Sequence, residues 1–387
     1  GFVLPSLGLA AGYLATKFYL DRTKPRPIQY KNFTLHVQKK SGTTFLVDVI
    51  ESPEGQVRDG EFVFEKDEAE EFLNKLRADE ANQEEMRAFG KELFNKLFQP
   101  AISRCYDKSR GRIQEKSSRL RINLMIESPA LVTLPWELMY DPSGREYLAL
   151  TRELSLVRFL MTKQEKRALT VEPPLKVLVA SANPNGHAFL PGIEEEKRRI
   201  REALHQHMRA GHVKLDFLPN LTVQALSEKL EEGYHVLHYS GHGTFQESAQ
   251  GGEGCLIFEN ESGDAEPVNT ARLELLLRDS EVRLVILNAC QTAQTSRFDY
   301  FMGSAQALVS AGLPAVIAMQ HKIFDDSGVV FAESFYRSLA EQFQIDMAVQ
   351  AARKVLAVRS KVEKMDWGTP VLFMRSSNGV ILSDTTP

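Results

Sequence analysis

The second half of the chain alternates short apolar strands with amphipathic helices, and this order limits the fold more than any other feature. Predicted strands begin at Lys176, Val213, Tyr234, Val282, Pro314 and Pro370. Helical segments separate most of these strands, and crossover helices of this kind join parallel strands and cover both faces of a sheet. The sequence therefore predicts an α/β fold over about residues 174–387, with a mostly parallel sheet between two layers of helices.

Residues 28–165 have a different pattern, which predicts a smaller α+β module. Apolar and polar positions alternate over residues 28–57, as in a pair of strands, and charged segments with helical spacing follow over 67–98. One more strand and a hairpin complete the module near Leu160. The stretch from Thr162 to Pro174 ends in two prolines and is the expected boundary with the second domain.

The first 27 residues form a third segment, which is apolar from Gly1 to Leu20 and basic directly after it. The apolar stretch is at the lower length limit of a membrane-spanning helix. The basic residues of 21–27 would then hold the rest of the chain on the cytoplasmic side. The alternative is an apolar helix that docks on protein. The sequence thus predicts a cytoplasmic protein, and a membrane anchor through residues 2–20 stays open.

Composition argues against two other classes of protein. The chain has 47 Lys and Arg against 51 Asp and Glu, a net charge of -4, which gives no general attraction to nucleic acid. Its three cysteines, Cys105, Cys255 and Cys290, are widely spaced and odd in number. They do not form a disulfide framework and suit a reducing, cytosolic setting.

Two predicted strands end in residues that suit nucleophilic catalysis. One ends in Ser240–Gly243 (Ser-Gly-His-Gly), and a later one ends in Asn288–Thr292 (Asn-Ala-Cys-Gln-Thr). In parallel sheets, ligands and chemistry collect at the carboxyl ends of the strands. A cysteine nucleophile also needs its thiolate form, which a neighbouring imidazole favours. His242 and Cys290 are therefore candidate catalytic residues, and we expect the glycines beside His242 to let a substrate backbone approach closely.

These two motifs, together with three other segments, resemble the CHAT domain family. That family is a caspase-like group in the same clan as metacaspases, separases and gingipains. The other matching segments are Leu134–Asp141, Gly303–Val316 and Trp367–Val371, and the resemblance covers about residues 115–375. It implies a caspase-like catalytic domain, a pseudo-caspase-like module before it, and cysteine peptidase activity.

The resemblance also implies roles in catalysis for individual residues. Cys290 would attack the scissile carbonyl, and His242 would act as acid–base partner and protonate the leaving amine. The backbone amides of Gly243 and Cys290 would form the oxyanion hole.

A specificity pocket follows from the same resemblance. Asn288 matches a position that lines the primary pocket in related enzymes, and Asp325 and Asp326 fall near another such position. An acidic pocket would suit a Lys or Arg before the cut. The alternative for the two aspartates is an ordinary helix N-cap.

The remaining candidates predict no cofactor and no metal. His235, His238 and His242 could be taken as metal ligands, but the first two differ by an odd step and should lie on opposite faces of a strand. The glycines of 251–254 lack the strand–turn–helix setting and the lysine of a phosphate loop. We expect them to form a flexible rim beside the active site instead.

Three functions stay open on the sequence alone. The first is a peptidase that cuts one or a few partner proteins and is held inactive until a regulatory protein or assembly orders its loops. The second is a catalytically silent scaffold or adaptor, against which the intact Gly-His-Gly and Cys motifs argue. The third uses the same dyad for hydrolysis or acyl transfer on a non-peptide substrate.

Overall fold

The structure is a computed structural model that describes residues 28–113, 118–161, 167–248, 251–291, 300–321, 325–342, 344–359, 364–376 and 378–383. Residues 1–27, to which the membrane-anchor prediction refers, lie outside the described residues. Within the described ranges, no helix is long and apolar enough to cross a membrane.

The first part of the chain contains the strand pair, the charged helices and the hairpin that its sequence predicts. In chain order the elements are Gln29–Ser41 (β1), Thr44–Glu51 (β2), Val57–Val63 (β3), Lys66–Arg77 (α1), Gln83–Leu97 (α2), Pro100–Gly111 (α3), Ser118–Ile126 (β4), Pro129–Val132 (α4), Tyr140–Asp141 (β5), Glu146–Tyr147 (β6) and Leu154–Phe159 (β7). Helix α2 begins with a capping box, in which the side chains of Asn82 and Glu85 each accept a hydrogen bond from the other's backbone amide.

The second part contains the alternating strands and helices that define the predicted α/β domain. Its elements are Leu175–Ser181 (β8), Gly192–Arg209 (α5), Val213–Leu218 (β9), Val223–Leu230 (α6), Val236–Ser248 (β10), Gly251–Glu259 (β11), Ala265–Asn269 (β12), Thr270–Arg278 (α7), Leu284–Gln291 (β13), Tyr300–Ser310 (α8), Ala315–Met319 (β14), Asp325–Gln342 (α9), Ile345–Arg359 (α10) and Pro370–Met374 (β15). Strand β10 extends beyond its predicted end at Ser240, because Gly243–Ser248 pairs with β11 in a hairpin.

Thirteen described strands form one mixed sheet, in the order β12-β11-β10-β13-β14-β15-β7-β4-β1-β2-β3, with β8 beside β10 and β9 beside β8. Most of the pairings are parallel, and they include β8–β10, β10–β13, β13–β14 and β4–β7. The antiparallel pairings lie in hairpins, at both edges and between β14 and β15. The predicted α/β class, with a mostly parallel sheet between helices, is confirmed.

Side chains alternate between the two faces of the sheet, as the period of a strand requires. On β13, Leu284 and Ile286 join one apolar core with helices α5, α9 and α10, whereas Val285 and Leu287 join another with α6, α7 and α8. The helices therefore form a layer on each face. The side chains of His238, Ser240 and His242 on β10 and of Asn288 on β13 therefore lie on the face that α5 and α9 cover.

The sheet runs without a break from the second part of the chain into the first. β15 pairs in parallel with β7, and one buried core includes Phe33, Trp136 and Trp367. A fully buried ion pair also joins the two parts, since Arg121 of β4 lies 2.9 Å from Asp346 of α10. Two folding units, 28–165 and 174–387, stay a prediction, and their described strands belong to a single sheet.

Candidate active site

The backbones of His242 and Cys290 lie directly opposite each other. β10 and β13 are neighbouring parallel strands, and their register pairs His242 with Cys290 and Ser240 with Asn288. Adjacent strands are about 4.8 Å apart, so the structure brings the two predicted catalytic residues within side-chain reach. The side chain of Cys290 lies outside the described part of the chain.

His242 also lies where β10 changes its other neighbour. The ladder between β8 and β10 ends at Ser240, and the ladder between β10 and β11 begins at Gly243. Gly243 is opposite Gln291 on one side and Leu256 on the other. Such changes of strand order are where α/β proteins collect chemistry. The oxyanion-hole role of the Gly243 and Cys290 amides stays a prediction.

A main-chain carbonyl fixes the orientation of the His242 ring. The side chain is 0% exposed, and its Nε2 lies 2.8 Å from the carbonyl oxygen of Ala188. A carbonyl oxygen only accepts hydrogen bonds, so Nε2 carries the hydrogen of the neutral ring and Nδ1 holds the lone pair. The ring of His187 packs against His242 at 5.1 Å between centroids. The imidazole is thus held in the tautomer that can accept a proton at Nδ1.

The loop that carries Ala188 is tied down at both ends. The side-chain oxygen of Asn183 accepts from the Leu190 amide at 3.2 Å, and the Asn183 amide donates to Glu259 at 2.8 Å. Sequence reasoning missed Ala188 because a backbone carbonyl carries no residue-type signal.

The packing of Tyr239 explains why position 241 is a glycine. A Cβ atom at Gly241 would lie 2.5 Å from the hydroxyl of Tyr239 and 3.2 Å from the Ala182 carbonyl oxygen. The Tyr239 hydroxyl lies 2.7 Å from the carbonyl oxygen of His242 and 2.8 Å from that of Ile257, and burial raises the pKa of Tyr239 well above its ordinary value. Packing against this tyrosine is thus one reason for a glycine at position 241, and the expectation that the glycines beside His242 let a substrate backbone approach stays a prediction.

A buried carboxylate, which the sequence did not point to, lies one step down the strands from the dyad. Glu196 of α5 is 2% exposed and accepts hydrogen bonds from Ser240 Oγ and from Asn288 Nδ2, the latter at 2.6 Å. His238 Nε2 lies 3.3 Å from Glu196, and His238 Nδ1 lies 3.1 Å from the Tyr336 hydroxyl. Burial, and secondly Glu196, raises the pKa of Tyr336 well above its usual value. Tyr336 therefore keeps its proton.

Asn288 of β13 lies beside the first turn of α9, the helix that begins with the other two predicted specificity residues. Asn288 is 9% exposed, and a Cβ atom at Gly328 of α9 would lie 3.3 Å from its amide nitrogen. Asp326, in the first turn of the same helix, is exposed, whereas the side chain of Asp325 lies outside the described part. The structure thus brings Asn288 and the first turn of α9 together, and the substrate-binding role of these residues stays a prediction.

Comparison with protein families identifies the chain. The family model of the CHAT domain matches residues 87–375, which is most of the chain. This chain belongs to the CHAT domain family. The match begins in α2, earlier than the motifs that carry the resemblance, so most of α2 and all of α3 are part of the CHAT unit. No curated protein sequence matches this CHAT protein.

Several solved structures of proteases are similar to this CHAT protein. They include the Arg-specific cysteine proteinase gingipain R of Porphyromonas gingivalis (14% identity, TM-score 0.46, covering 81% of this chain and 76% of that one). The Saccharomyces cerevisiae separase–securin complex (13%, 0.38, 81% and 20%) and the Drosophila initiator caspase Dronc (9%, 0.35, 60% and 96%) are more distant. Likeness at this level carries no conclusion about activity.

Proposed function

We propose that this CHAT protein is a cysteine endopeptidase in which Cys290 is the nucleophile and His242 its acid–base partner. One arrangement carries the proposal: the two residues are register partners near the end of the parallel pairing of β10 and β13, and Ala188 holds the histidine in the tautomer with a lone pair on Nδ1. A nucleophile beside a base, with a third group that orients the base, is the arrangement that covalent catalysis requires.

The reaction follows from this arrangement. Nδ1 of His242 takes the thiol proton of Cys290, and the thiolate forms a bond with the carbonyl carbon of the peptide. The amides of Gly243 and Cys290 stabilise the oxyanion, typically by about 3–4 kcal/mol. The imidazolium then gives its proton to the departing amine as the C–N bond breaks, which leaves a thioester. Water, deprotonated by His242, hydrolyses the thioester and restores the thiol.

The substrate class is a partner protein that carries Lys or Arg before the cut. Asn288 adjoins the first turn of α9, where the exposed Asp326 carboxylate attracts a cationic side chain. We propose that a regulatory protein or assembly controls activity in the cytoplasm, where residues 2–20 could also tether the chain to a membrane.

The complete burial of His242 favours a second candidate, a silent CHAT-fold scaffold. A substrate cannot contact a fully covered imidazole without some rearrangement of the residues over it. A latent peptidase and a scaffold share this property, and they differ in whether Cys290 ever reacts.

A peptide panel separates the two candidates. Purified chain, Cys290→Ala and Cys105→Ala are incubated with fluorogenic peptides that carry Arg, Lys, Met or Asp before the cut. A peptidase cleaves at least one peptide, loses this activity in Cys290→Ala and keeps it in Cys105→Ala, whose buried thiol lies in the first part of the chain. Equal signals from all three proteins would support the scaffold.

A further inference from the structure

The carboxylate of Glu196 has no part in the chemistry proposed above, although it lies beside it. We propose that Glu196 is a positioning residue that fixes the Asn288 amide, so that the pocket next to Cys290 accepts hydrogen bonds and selects a cationic side chain. The inference rests on the proposed function, because it assigns specificity to that same site.

The hydrogen bonds of Glu196 determine which way the Asn288 amide faces. A carboxylate only accepts hydrogen bonds, so the group of Asn288 that lies 2.6 Å from Glu196 is the Nδ2 amino group. The carbonyl oxygen Oδ1, at the other end of the same planar amide, then faces away from Glu196. Ser240 donates to the second oxygen of Glu196 and holds the carboxylate in place.

The Asn288 amide lies against a residue of α9 that has no side chain. A Cβ atom at Gly328 would come 3.4 Å from Asn288 Oδ1, which is van der Waals contact. Asn288 precedes Cys290 by two residues, about 6.6 Å along a strand, which is within the length of a Lys or Arg side chain bound beside the nucleophile. Oδ1 can therefore accept a hydrogen bond from such a side chain.

The position of Glu196 acts in the same direction. In the described part of the chain no Lys or Arg lies within ion-pair distance of its carboxyl group, and its one histidine neighbour is His238 at 3.3 Å. A substrate cation bound near Asn288 would therefore have this carboxyl group, and no protein Lys or Arg, close to it. Asp326 adds an exposed carboxylate two residues before Gly328.

The test measures how fast Cys290 is alkylated by two peptidyl chloromethyl ketones. The two reagents are identical except that the residue bearing the chloromethyl ketone is Arg in one and Met in the other. Alkylation is followed by intact mass and peptide mapping in the full chain, in Glu196→Gln and in Glu195→Gln. Glu195 is the matched control, since it is the next residue on α5 and is paired with Arg198 and Arg199 on the surface.

We expect the native chain and Glu195→Gln to react at least tenfold faster with the Arg reagent. In Glu196→Gln the ratio falls to about one while the Met rate changes less than threefold, because a glutamine is neutral and its amino group lets the Asn288 amide turn over. An unchanged ratio in Glu196→Gln, or an equal loss of both rates, overturns the inference. So does absence of an Arg preference in the native chain, including failure of either reagent to label Cys290.

Asn288→Leu keeps the test decisive if Glu196→Gln fails to fold. Leucine has a similar volume but no amide oxygen, so we expect the Arg preference to disappear there too, and its survival would overturn the inference. Alkylation needs a thiolate but no peptide cleavage. Cleavage without an Arg preference would therefore contradict the role of Glu196 but not the proposed peptidase activity. An Arg preference without cleavage would support the role of Glu196 and contradict the peptidase activity.

Discussion

At the scale of single residues, the site depends on groups that fix where protons and amides face. Ala188 sets the tautomer of His242, and Glu196 sets the orientation of Asn288. Neither contact lies between the two catalytic residues themselves. Both come from the segment between β8 and the first turns of α5, so one stretch of chain shapes the base and the specificity pocket together.

Replacing His242 by Ala should lower kcat/KM for the best peptide by about 10²- to 10⁴-fold, because general acid–base catalysis contributes this much. Steady-state kinetics on the native chain and the variant measure the loss. His205→Ala, an exposed position on α5, is the control and should keep full activity. A loss of less than tenfold in His242→Ala would contradict the assigned role.

The sequence was sufficient to expect His242 and Cys290 side by side, but not to expect the residues around them. Both follow predicted parallel strands, and their residue types are those of a nucleophile and base. Glu196 lies in the run Glu194–Arg201, where three glutamates precede four basic residues. So many charges are typical of a solvated helix face, and the burial of Glu196 could not be foreseen. Ala188 acts through its backbone, which no residue type signals.

At the scale of elements, one of the segments that resemble the CHAT family, Leu134–Asp141, connects other elements of the fold. Glu137, in the segment Leu134–Asp141, is 1% exposed and forms a bidentate ion pair with Arg158 of β7, at 3.1 and 2.6 Å. Arg353 of α10 lies 3.8 Å from the same carboxylate. This segment therefore joins β7 and α10, on both sides of the predicted domain boundary.

Glu137→Gln should lower the free energy of unfolding by about 3–5 kcal/mol, since removing one partner of a buried pair leaves the other charge uncompensated. Urea denaturation provides the measurement. Glu127→Gln removes an exposed carboxylate that pairs with His36 and should cost less than about 1 kcal/mol. Equal effects of the two substitutions would show that Glu137 is not a structural tie.

The junction between β8 and β10 should make stability depend on pH. His235 Nδ1 accepts the Lys176 amide at 3.1 Å, and burial lowers the pKa of His235. The unfolded chain therefore binds this proton first as the pH falls below about 6.5, so stability falls below that pH and is fully present above it.

His235→Gln tests this dependence, because a glutamine oxygen can accept the same amide hydrogen without titrating. The loss of unfolding free energy between pH 7.5 and pH 5.5 should be smaller in the variant, by at most about 1.4 kcal/mol per pH unit. Urea titrations at both pH values give the comparison. Parallel pH profiles would show that His235 does not contribute.

At the scale of the whole molecule, one sheet and one core extend over both predicted modules. In the sequence, the pattern of strands and helices changes near Pro174 from α+β to α/β. It could not show that β15 adds to β7, because strand order between distant segments depends on packing rather than on local periodicity. Separating the two parts of the chain would also break the buried ion pair between Arg121 and Asp346.

The full described sheet should therefore unfold in a single transition, and residues 174–387 expressed alone should not fold. Scanning calorimetry of the full chain and hydrogen exchange of the fragment test this, with equal calorimetric and van 't Hoff enthalpies expected for the full chain. Two separate transitions, or a protected fragment, would establish two independent domains instead.

The central claim, that His242 and Cys290 form a working pair, is tested most directly by the pH dependence of Cys290 alkylation. Iodoacetamide rates at Cys290 and Cys105 are measured by mass spectrometry from pH 5 to pH 10 in the native chain and in His242→Ala. The account predicts that Cys290 of the native chain reacts well below the ordinary thiol pKa of about 8.5, and that His242→Ala moves its profile up to that value or beyond. Identical profiles in the two proteins would contradict it.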